Sequence, residues 1–233
     1  MRWTALLLFV GCSSHHSEPR VDTTHEGIAA AKAGNTAKAE QLLGTACASP
    51  FGDGCYNLGV LLEQQKRLGE AEAAYAKGCE LEQMDACAGA GFLAIANGHS
   101  DLAQQRCEQS CNARNAEGCV CMGLATQPVQ GQAGGDNDRA FTFYSKACDL
   151  MSARGCTFAG QLAAIKTPGS ETRLFELGCD RGNAEGCVEL GKKYAVGAGV
   201  ERDNDHAIAL FRKACAAGEP RGCKLLDQNG LPH

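Results

Sequence analysis

Hydrophobic residues recur along most of the chain at the three- and four-residue spacing of a helix face. Two segments show this spacing clearly: Ala140, Phe141, Tyr144 and Ala147, and Ala207, Leu210, Phe211 and Ala214. The spacing gives each helix one apolar face, so the aromatic side chains are expected in a core rather than around a cofactor. The pattern predicts an all-α chain.

Turn-forming residues divide this pattern into helical hairpins, each with a first helix and a partner helix. The first helices are predicted near 23–33, 54–66, 85–97, 117–126, 154–165 and 185–195. Their partner helices are predicted near 36–47, 69–81, 99–112, 137–149, 170–180 and 204–216. A half-unit near 221–227 ends the array, and the loop 127–137 is expected to be the least ordered connection.

The cysteines carry a repeat of their own. Twelve of the 15 form six pairs in which the two residues are eight positions apart: Cys47 and Cys55, Cys79 and Cys87, Cys111 and Cys119, Cys148 and Cys156, Cys179 and Cys187, Cys215 and Cys223. On one straight helix, eight residues would separate two Cα atoms by about 12 Å, whereas a disulfide needs less than about 7 Å. The chain must therefore turn back between them, and each pair is expected to join the end of one helix to the start of the next.

The repeat period fixes the expected architecture. The first cysteines recur at intervals of 32, 32, 37, 31 and 36 residues, which is typical of stacked helix pairs. Glycine occupies the fourth position after the second cysteine in every unit but the last, which has Asp227 there. A small residue at this position of each unit allows neighbouring helices to approach closely. The sequence predicts an all-α, right-handed α/α solenoid of about six disulfide-stapled helical hairpins.

Two cysteines remain outside the six pairs and the amino terminus. Cys107 lies one turn before Cys111, and Cys121 lies two residues after Cys119. On an antiparallel hairpin they could form a seventh disulfide beside the pair of Cys111 and Cys119, which is the preferred interpretation. The alternative is a four-thiolate zinc or copper site made of Cys107, Cys111, Cys119 and Cys121. All these cysteines are expected to be structural.

The amino terminus is typical of an export signal. Arg2 precedes a short apolar run over residues 3–10, which is too brief to span a bilayer as a helix. Phe9-Val10-Gly11-Cys12 resembles the lipobox of bacterial lipoproteins, with Phe9 in place of the usual leucine. The resemblance implies that Cys12 is acylated and becomes the first mature residue. The alternative is an ordinary cleaved signal peptide in which Cys12 is incidental.

These features divide the chain into residues 1–11 as a lipoprotein signal peptide, 12–22 as a flexible tether and 23–233 as the cysteine-rich solenoid. His15 and His16 lie in the tether and are expected to bind no metal, because a polar segment without a third ligand is not preorganised. A formal net charge of −5 with no long basic run predicts that nucleic acid is not a partner. The cysteine content predicts an oxidising compartment: the cell envelope, lipid-anchored at the outer membrane or periplasmic face, or secretion.

The last full unit resembles a known repeat. Residues 190–203 read Leu-Gly-Lys-Lys-Tyr-Ala-Val-Gly-Ala-Gly-Val-Glu-Arg-Asp, followed by Ala207, Leu210 and Lys213-Ala214-Cys215. This is similar to the Sel-1-like, tetratricopeptide-like repeat in its cysteine-bearing form, known from the helicobacter-type cysteine-rich secreted proteins. The resemblance covers about residues 23–227, although the units near Cys55, Cys87 and Cys156 lack the Gly-x-Gly-Val loop. It implies a helical solenoid that binds a protein or peptide partner.

The leading hypothesis is therefore an exported, lipid-anchored repeat scaffold that binds a protein or peptide in the cell envelope. The candidate groove residues are Tyr56, Asn57, Glu63, Lys192 and Tyr194, polar or aromatic residues of first helices. The alternative for these residues is ordinary solvated surface. A purely structural envelope role, such as spacing a complex away from the membrane, is a further possibility.

An enzymatic alternative comes from the family, since some cysteine-rich members are described as penicillin-binding or weakly β-lactamase-active. The residues do not support it independently: no Ser-x-x-Lys occurs, and Lys166-Thr167-Pro168-Gly169 only partly matches Lys-Thr-Gly. Histidines at His25, His99, His206 and His233 form no ligand motif. The sequence predicts no catalytic residue, no metal site and no cofactor.

Overall fold

The computed structural model describes residues 23–50, 54–127, 136–166 and 169–228. These residues form thirteen α-helices and no strand. The helices are α1 (Thr23–Lys32), α2 (Thr36–Ala48), α3 (Cys55–Gln64), α4 (Leu68–Glu80), α5 (Met84–Ala96), α6 (Ser100–Asn112), α7 (Ala116–Thr126), α8 (Asn137–Asp149), α9 (Ala153–Lys166), α10 (Thr172–Asp180), α11 (Ala184–Val196), α12 (Asn204–Ala216) and α13 (Pro220–Gln228). None of these helices is long and apolar enough to cross a membrane.

The predicted helices are confirmed, with ends that differ from the expected ones by at most two residues. Local capping explains several of the observed starts. In the pentapeptide Asn-Ala-Glu-Gly-Cys, which occurs twice, the asparagine side chain accepts a hydrogen bond from the glycine N–H three residues later. The distances are 2.9 Å for Asn115 and Gly118, and 2.8 Å for Asn183 and Gly186. Each asparagine therefore begins a first helix by satisfying one of its free N–H groups.

The helices stack in chain order as an α/α solenoid. Each helix packs on the next one along the chain, and each first helix from α3 to α9 also packs on the first helix of the following hairpin. The expectations for the signal peptide, the tether, most of the loop 127–137 and the last five residues lie outside the described residues.

Seven disulfides join neighbouring helices, as expected from the sequence. In the six pairs with eight-residue spacing the Cα atoms lie 4.3 to 4.7 Å apart, each at a junction between hairpins. Closing such a loop stabilises the fold by about 2.6 kcal/mol in the chain-entropy account. The seventh bond joins Cys107 of α6 to Cys121 of α7. The alternative four-thiolate metal site is therefore wrong, because all four sulfur atoms are consumed in two disulfides.

A single buried side chain, which we call the plug, fills the space between the two helices of each hairpin. This side chain lies four residues before the first cysteine of a pair. From the second hairpin onwards it packs against the glycine four residues after the second cysteine of the preceding pair, and in the first hairpin Leu43 packs against Gly27. A Cβ atom added at Gly59 would lie 2.4 Å from Cε1 of Tyr75, and one added at Gly191 would lie 2.6 Å from Cε1 of Phe211. The glycines are therefore required for close approach of an aromatic ring.

The hairpin of α5 and α6 uses a different plug. A Cβ atom added at Gly91 would lie 2.6 Å from Sγ of Cys107 and 2.7 Å from Sγ of Cys121. Cys107 occupies the repeat position that Tyr75 and Phe211 occupy in their hairpins. The seventh disulfide thus takes the place of an aromatic ring in the core.

Basic side chains connect consecutive hairpins at the ends of partner helices. Arg181 donates to the carbonyl oxygen of Cys148 at 2.7 Å, and Lys213 donates to that of Cys179 at 3.1 Å. The carbonyl groups at a helix C-terminus lack intrahelical donors and carry a partial negative charge. The cations therefore satisfy these carbonyl groups and fix the orientation of one hairpin on the next.

Candidate functional site: a groove across the first helices

A pocket of about 210 Å³ lies across four first helices, α3, α5, α7 and α9. One partner helix, α4, contributes Tyr75 to it. The lining residues are Tyr56, Val60, Glu63, Tyr75, Asp85, Ala88, Gly89, Phe92, Glu117 and Arg154. The stack of hairpins places these residues together although almost 100 positions separate the first from the last.

Aromatic rings form one wall of the pocket. Tyr75 is 1% exposed, and its ring centroid lies 6.0 Å from that of Tyr56. Its ring reaches the pocket because Gly89 has no side chain: a Cβ atom there would lie 2.8 Å from Cε1 of Tyr75. The Tyr75 hydroxyl donates to Oε2 of Glu63 at 2.6 Å. Phe92 lies on α5 and turns one face to a cation.

Charged groups line the rest of the pocket. Arg154 forms an ion pair with Glu117, and its guanidinium lies 4.8 Å from the ring centroid of Phe92. Asp85 accepts a hydrogen bond from Nδ2 of Asn115 at 2.6 Å. The three carboxylates, Glu63, Asp85 and Glu117, face a single guanidinium, so the lining carries a formal net charge of −2.

The two tyrosine hydroxyls stay protonated at neutral pH. Burial raises the pKa of Tyr56, and the negative charges of Asp85, Glu117 and Glu63 raise it further, against a smaller opposing effect of Arg154. Burial also raises the pKa of Tyr75, as does its hydrogen bond to Glu63. Tyr56 is therefore available as a neutral ring with a hydroxyl donor.

A row of charged residues continues the pocket along the solenoid. We call it the charged row: Asp85, Glu117, Arg154, Glu185 and Arg221, each two positions before the second cysteine of its unit. At its C-terminal end, Glu185 accepts from Gln161 at 2.9 Å and pairs with Arg221 at 2.9 Å. Arg221 also pairs with Glu189 at 3.2 Å. The carboxylates of this end are thus paired with a cation of the protein itself.

The five groove residues expected from the sequence are divided between several places. Tyr56 and Glu63 line the pocket, whereas Asn57 is partly buried on α3 and is not in its lining. Lys192 is exposed and pairs with Glu189 at 3.0 Å, near the C-terminal end of the charged row. Tyr194 packs edge-to-face against His206 of α12, with ring centroids 4.3 Å apart, and lies in the α11–α12 hairpin rather than in the pocket.

Five aromatic or charged residues of the pocket lining were not expected from the sequence: Tyr75, Asp85, Phe92, Glu117 and Arg154. A signal for three of them was present, because every unit has a charged residue two positions before its second cysteine. Tyr75 carried no such signal, and the glycines that its ring packs against, Gly59 and Gly89, belong to other helices. Its contribution is visible only once the hairpins are stacked.

The residues that bear on the catalytic alternative are the candidate metal ligands and the partial Lys-Thr-Gly element. Among the described residues, no group of three or more His, Cys, Asp or Glu side chains is placed to hold a metal ion. Lys166, which begins the partial Lys-Thr-Gly element, forms an ion pair with Asp138 and lies 5.8 Å from the ring centroid of Phe141. The next two residues of that element lie outside the described residues.

Comparisons with known proteins identify the repeat type. The Sel1 repeat model matches residues 130–150 and 184–219. The second match covers α11 and α12 with the Gly-x-Gly-Val loop between them, whereas the earlier shortened units lack this loop. No curated protein matches the chain.

Solved structures agree with the repeat type. A Sel1 repeat protein from Oxalobacter formigenes has a TM-score of 0.65 at 22% identity, over 88% of this chain and 86% of that one. The protective antigen c5321 of uropathogenic Escherichia coli, which displays an SLR fold, has a TM-score of 0.67 at 17% identity, over 82% of this chain and 44% of that one. The Helicobacter pylori cysteine rich protein B matches 55% of this chain and 95% of its own at 25% identity, with a TM-score of 0.44.

The shared features of sequence and fold lead to one assignment. Disulfide-stapled hairpins stack in a single array, the repeat model matches where the loop is complete, and the first two solved structures share the fold. The chain is an α/α solenoid in which the Sel1 repeat is recognised at residues 130–150 and 184–219.

Proposed function

We propose that this protein is an exported Sel1-type scaffold that binds a protein or peptide partner in the groove across its first helices, and that a lipid on Cys12 holds it in the cell envelope. The observation that carries the proposal is the pocket between α3 and α9, in which aromatic rings and charged groups of five helices converge. Such convergence on rigid elements is typical of a recognition site.

The size of the pocket favours a side chain of a larger partner over a small molecule. Its volume of about 210 Å³ is below the range of roughly 300 to 1,000 Å³ that is typical of small-molecule sites. The groove walls are also rigid, because disulfides join consecutive hairpins and a buried side chain fills the space between the two helices of each hairpin. A rigid groove loses little conformational entropy when it binds an extended segment.

The disulfides support the proposed location. Seven disulfides are typical of an oxidising compartment such as the bacterial periplasm or the cell surface. Cys12 lies outside the described residues, so its acylation stays a prediction from the sequence. In the variant Cys12→Ser, radiolabelled palmitate should no longer be incorporated and the protein should leave the membrane fraction. Unchanged labelling and fractionation would contradict the anchor.

In-cell photo-crosslinking tests the binding function. A benzoylphenylalanine placed at Asn57, which lies beside Tyr56 on α3, should give a discrete adduct with a partner. The same probe at Gln41, an exposed residue of α2 outside the pocket, is the matched control and should not. The adduct at position 57 should also disappear when Tyr56→Ala is added. The absence of an adduct at position 57, or equal adducts at both positions, would overturn the proposal. In a separate assay, hydrolysis of a chromogenic β-lactam by the purified protein would favour the enzymatic alternative.

A further inference from the structure

We infer that the pocket binds a cationic side chain, a lysine or arginine of an extended partner segment, beside the ring of Tyr56 and between the carboxylates of Glu63 and Asp85. This inference rests on the proposed function and names the chemistry of its partner. Three independent features of the pocket support it: its charge balance, the way its own arginine is bound, and the partners of its carboxylates.

The charge balance favours a cation. The three carboxylates of the lining exceed its single guanidinium by two negative charges. They also act on a common point, because Asp85, Glu117 and Glu63 each contribute to the electrostatic environment of the Tyr56 hydroxyl. A cavity lined by one sign of charge with apolar walls concentrates the field inside it. A cationic side chain entering next to Tyr56 would therefore meet all three carboxylates.

The pocket already binds one cation of the protein itself. The Arg154 guanidinium lies 4.8 Å from the centroid of the Phe92 ring and pairs with the Glu117 carboxylate. Ser152 adds a hydrogen bond to the same carboxylate at 3.2 Å. This combination of an aromatic face and a carboxylate is favourable for guanidinium and ammonium groups. Elsewhere in the lining, Tyr56 provides another ring, and Glu63 and Asp85 provide two further carboxylates.

These two carboxylates have neutral partners in the described part of the chain. Glu63 accepts from the Tyr75 hydroxyl, and Asp85 accepts from the Asn115 amide. Each hydrogen bond fixes the position of a carboxylate without cancelling its charge. Each carboxylate also has further acceptor capacity, since an ionised carboxylate has about four lone-pair sites. The pocket therefore presents two oriented, uncompensated carboxylates beside an aromatic ring.

An anionic partner is disfavoured by the same contacts. Arg154 is the one cationic residue of the pocket lining that could bind a carboxylate, and it is already paired with Glu117 and packed on Phe92. A carboxylate in this pocket would have to displace that pair and face the remaining negative charges. The geometry thus selects a lysine or arginine side chain over a peptide carboxyl terminus.

Selection of peptides against the oxidised full-length protein tests the inference. From a displayed library of random dodecapeptides, binders should be recovered that share a lysine or arginine at one fixed position. Replacing this residue by norleucine, which removes the charge and keeps the length, should weaken binding about tenfold, as expected for a hydrogen-bonded charge. Asp85→Asn and Glu63→Gln should each weaken binding by a similar factor. The control Glu201→Gln changes an exposed carboxylate outside the pocket and should have no effect.

The outcomes separate this inference from the proposed function. The inference would be overturned, and the binding groove would remain, if the selected peptides depend on Tyr56 but share no lysine or arginine. The same holds if they share an acidic residue instead, or if norleucine binds as well as the cation. Failure to recover any peptide that depends on Tyr56 would overturn both. Thermal unfolding followed by circular dichroism must show that Tyr56→Ala, Asp85→Asn and Glu63→Gln unfold as the wild type does, so that a loss of binding reports the pocket.

Discussion

The two ends of the charged row show how one repeat scaffold produces two different surfaces. At the N-terminal end, the partner of Asp85 among the described residues is the neutral amide of Asn115, and Asp85 lines a pocket with Tyr56, Tyr75 and Phe92. At the C-terminal end, Glu185 is paired with Arg221 and hydrogen-bonded to Gln161. The backbone and the repeat position are equivalent, and the partners differ.

This difference indicates what controls ligand binding in such an array. In the C-terminal stretch, Arg221 lies between Glu185, Glu189 and Glu219, so the protein itself supplies the cation. In the N-terminal stretch, aromatic rings take the place of a second cation and leave room for one from outside. On the proposed function, the identity of the residue at one repeat position decides whether a unit forms an ion pair with its neighbours or remains available to a partner.

The largest expected effect is the loss of stability when the buried aromatic ring is removed from a hairpin at either end of the charged row. Tyr75→Ala and Phe211→Ala should each lower the free energy of unfolding by about 4 kcal/mol, because both rings are buried and packed against glycine. Only Tyr75→Ala should also weaken peptide binding, since Phe211 lies outside the pocket. Urea unfolding measures the stability, and Tyr75→Phe is the milder control at about 1 kcal/mol. A loss below 1 kcal/mol in Tyr75→Ala would mean that the ring is not a core plug.

A buried ion pair gives the next effect, confined to the C-terminal half. Lys193 of α11 pairs with Glu171, whose side chain is 2% exposed at the start of α10. Lys193→Met would leave this carboxylate buried without its cation and should cost about 3 kcal/mol, at the low end for a broken buried pair because the lysine is partly exposed. Peptide affinity should not change. An unaltered free energy of unfolding would show that the pair contributes nothing.

The same pair predicts a pH dependence. Burial by itself would raise the pKa of Glu171, but the hydrogen bond from Lys193 and those from backbone N–H groups outweigh it and lower the pKa below the ordinary 4.5. A carboxyl whose folded pKa is lowered stabilises the fold above its unfolded pKa and loses this contribution as the pH falls through the folded value. The unfolding free energy of the wild type should therefore fall below pH 4.5 more steeply than that of Lys193→Met. Parallel pH profiles would contradict this assignment.

A change of charge in the pocket sharpens the comparison further. Arg154→Met removes the only cation of the lining and increases its excess negative charge from two to three. Affinity for a lysine-containing peptide should rise about threefold, since partly exposed charge pairs contribute under about 1 kcal/mol. Fluorescence anisotropy of a labelled peptide measures the change. A fall in affinity would instead indicate that Arg154 contacts the ligand directly.

The smallest expected effect is a shift in a titration. Asp85→Asn removes one of the charges that raise the pKa of Tyr56, so this pKa should move down towards 10 while burial, the largest cause, keeps it elevated. Glu185→Gln should leave it unchanged. Absorbance at 295 nm, with Tyr56→Phe as the difference reference, isolates this tyrosine from the other three. Equal shifts in both variants would contradict the separation of the two stretches.

The sequence predicts the fold well because its signals are local or periodic. Helical spacing and capping asparagines define the helices. A disulfide between two cysteines eight residues apart requires a turn, so each pair marks a junction between hairpins. The extra pair, Cys107 and Cys121, was predicted from the same hairpin geometry, since the two residues lie beside Cys111 and Cys119.

The site is less predictable because it depends on contacts between units. Tyr75 reaches the pocket through gaps left by Gly59 and Gly89, which belong to two other helices. Arg154 meets Glu117 and Phe92 across 37 and 62 positions of the chain. Tyr194, by contrast, carried the same local pattern as a groove residue and lies against His206 instead.

The central claim is that the N-terminal end of the charged row binds a partner and the C-terminal end does not. The most direct measurement compares the dissociation constant of one selected lysine-containing peptide for Asp85→Asn and for Glu185→Gln, two matched neutralisations at the same repeat position. The account predicts about tenfold weaker binding for Asp85→Asn and no change for Glu185→Gln. Equal losses in both variants, or a loss in Glu185→Gln alone, would contradict it.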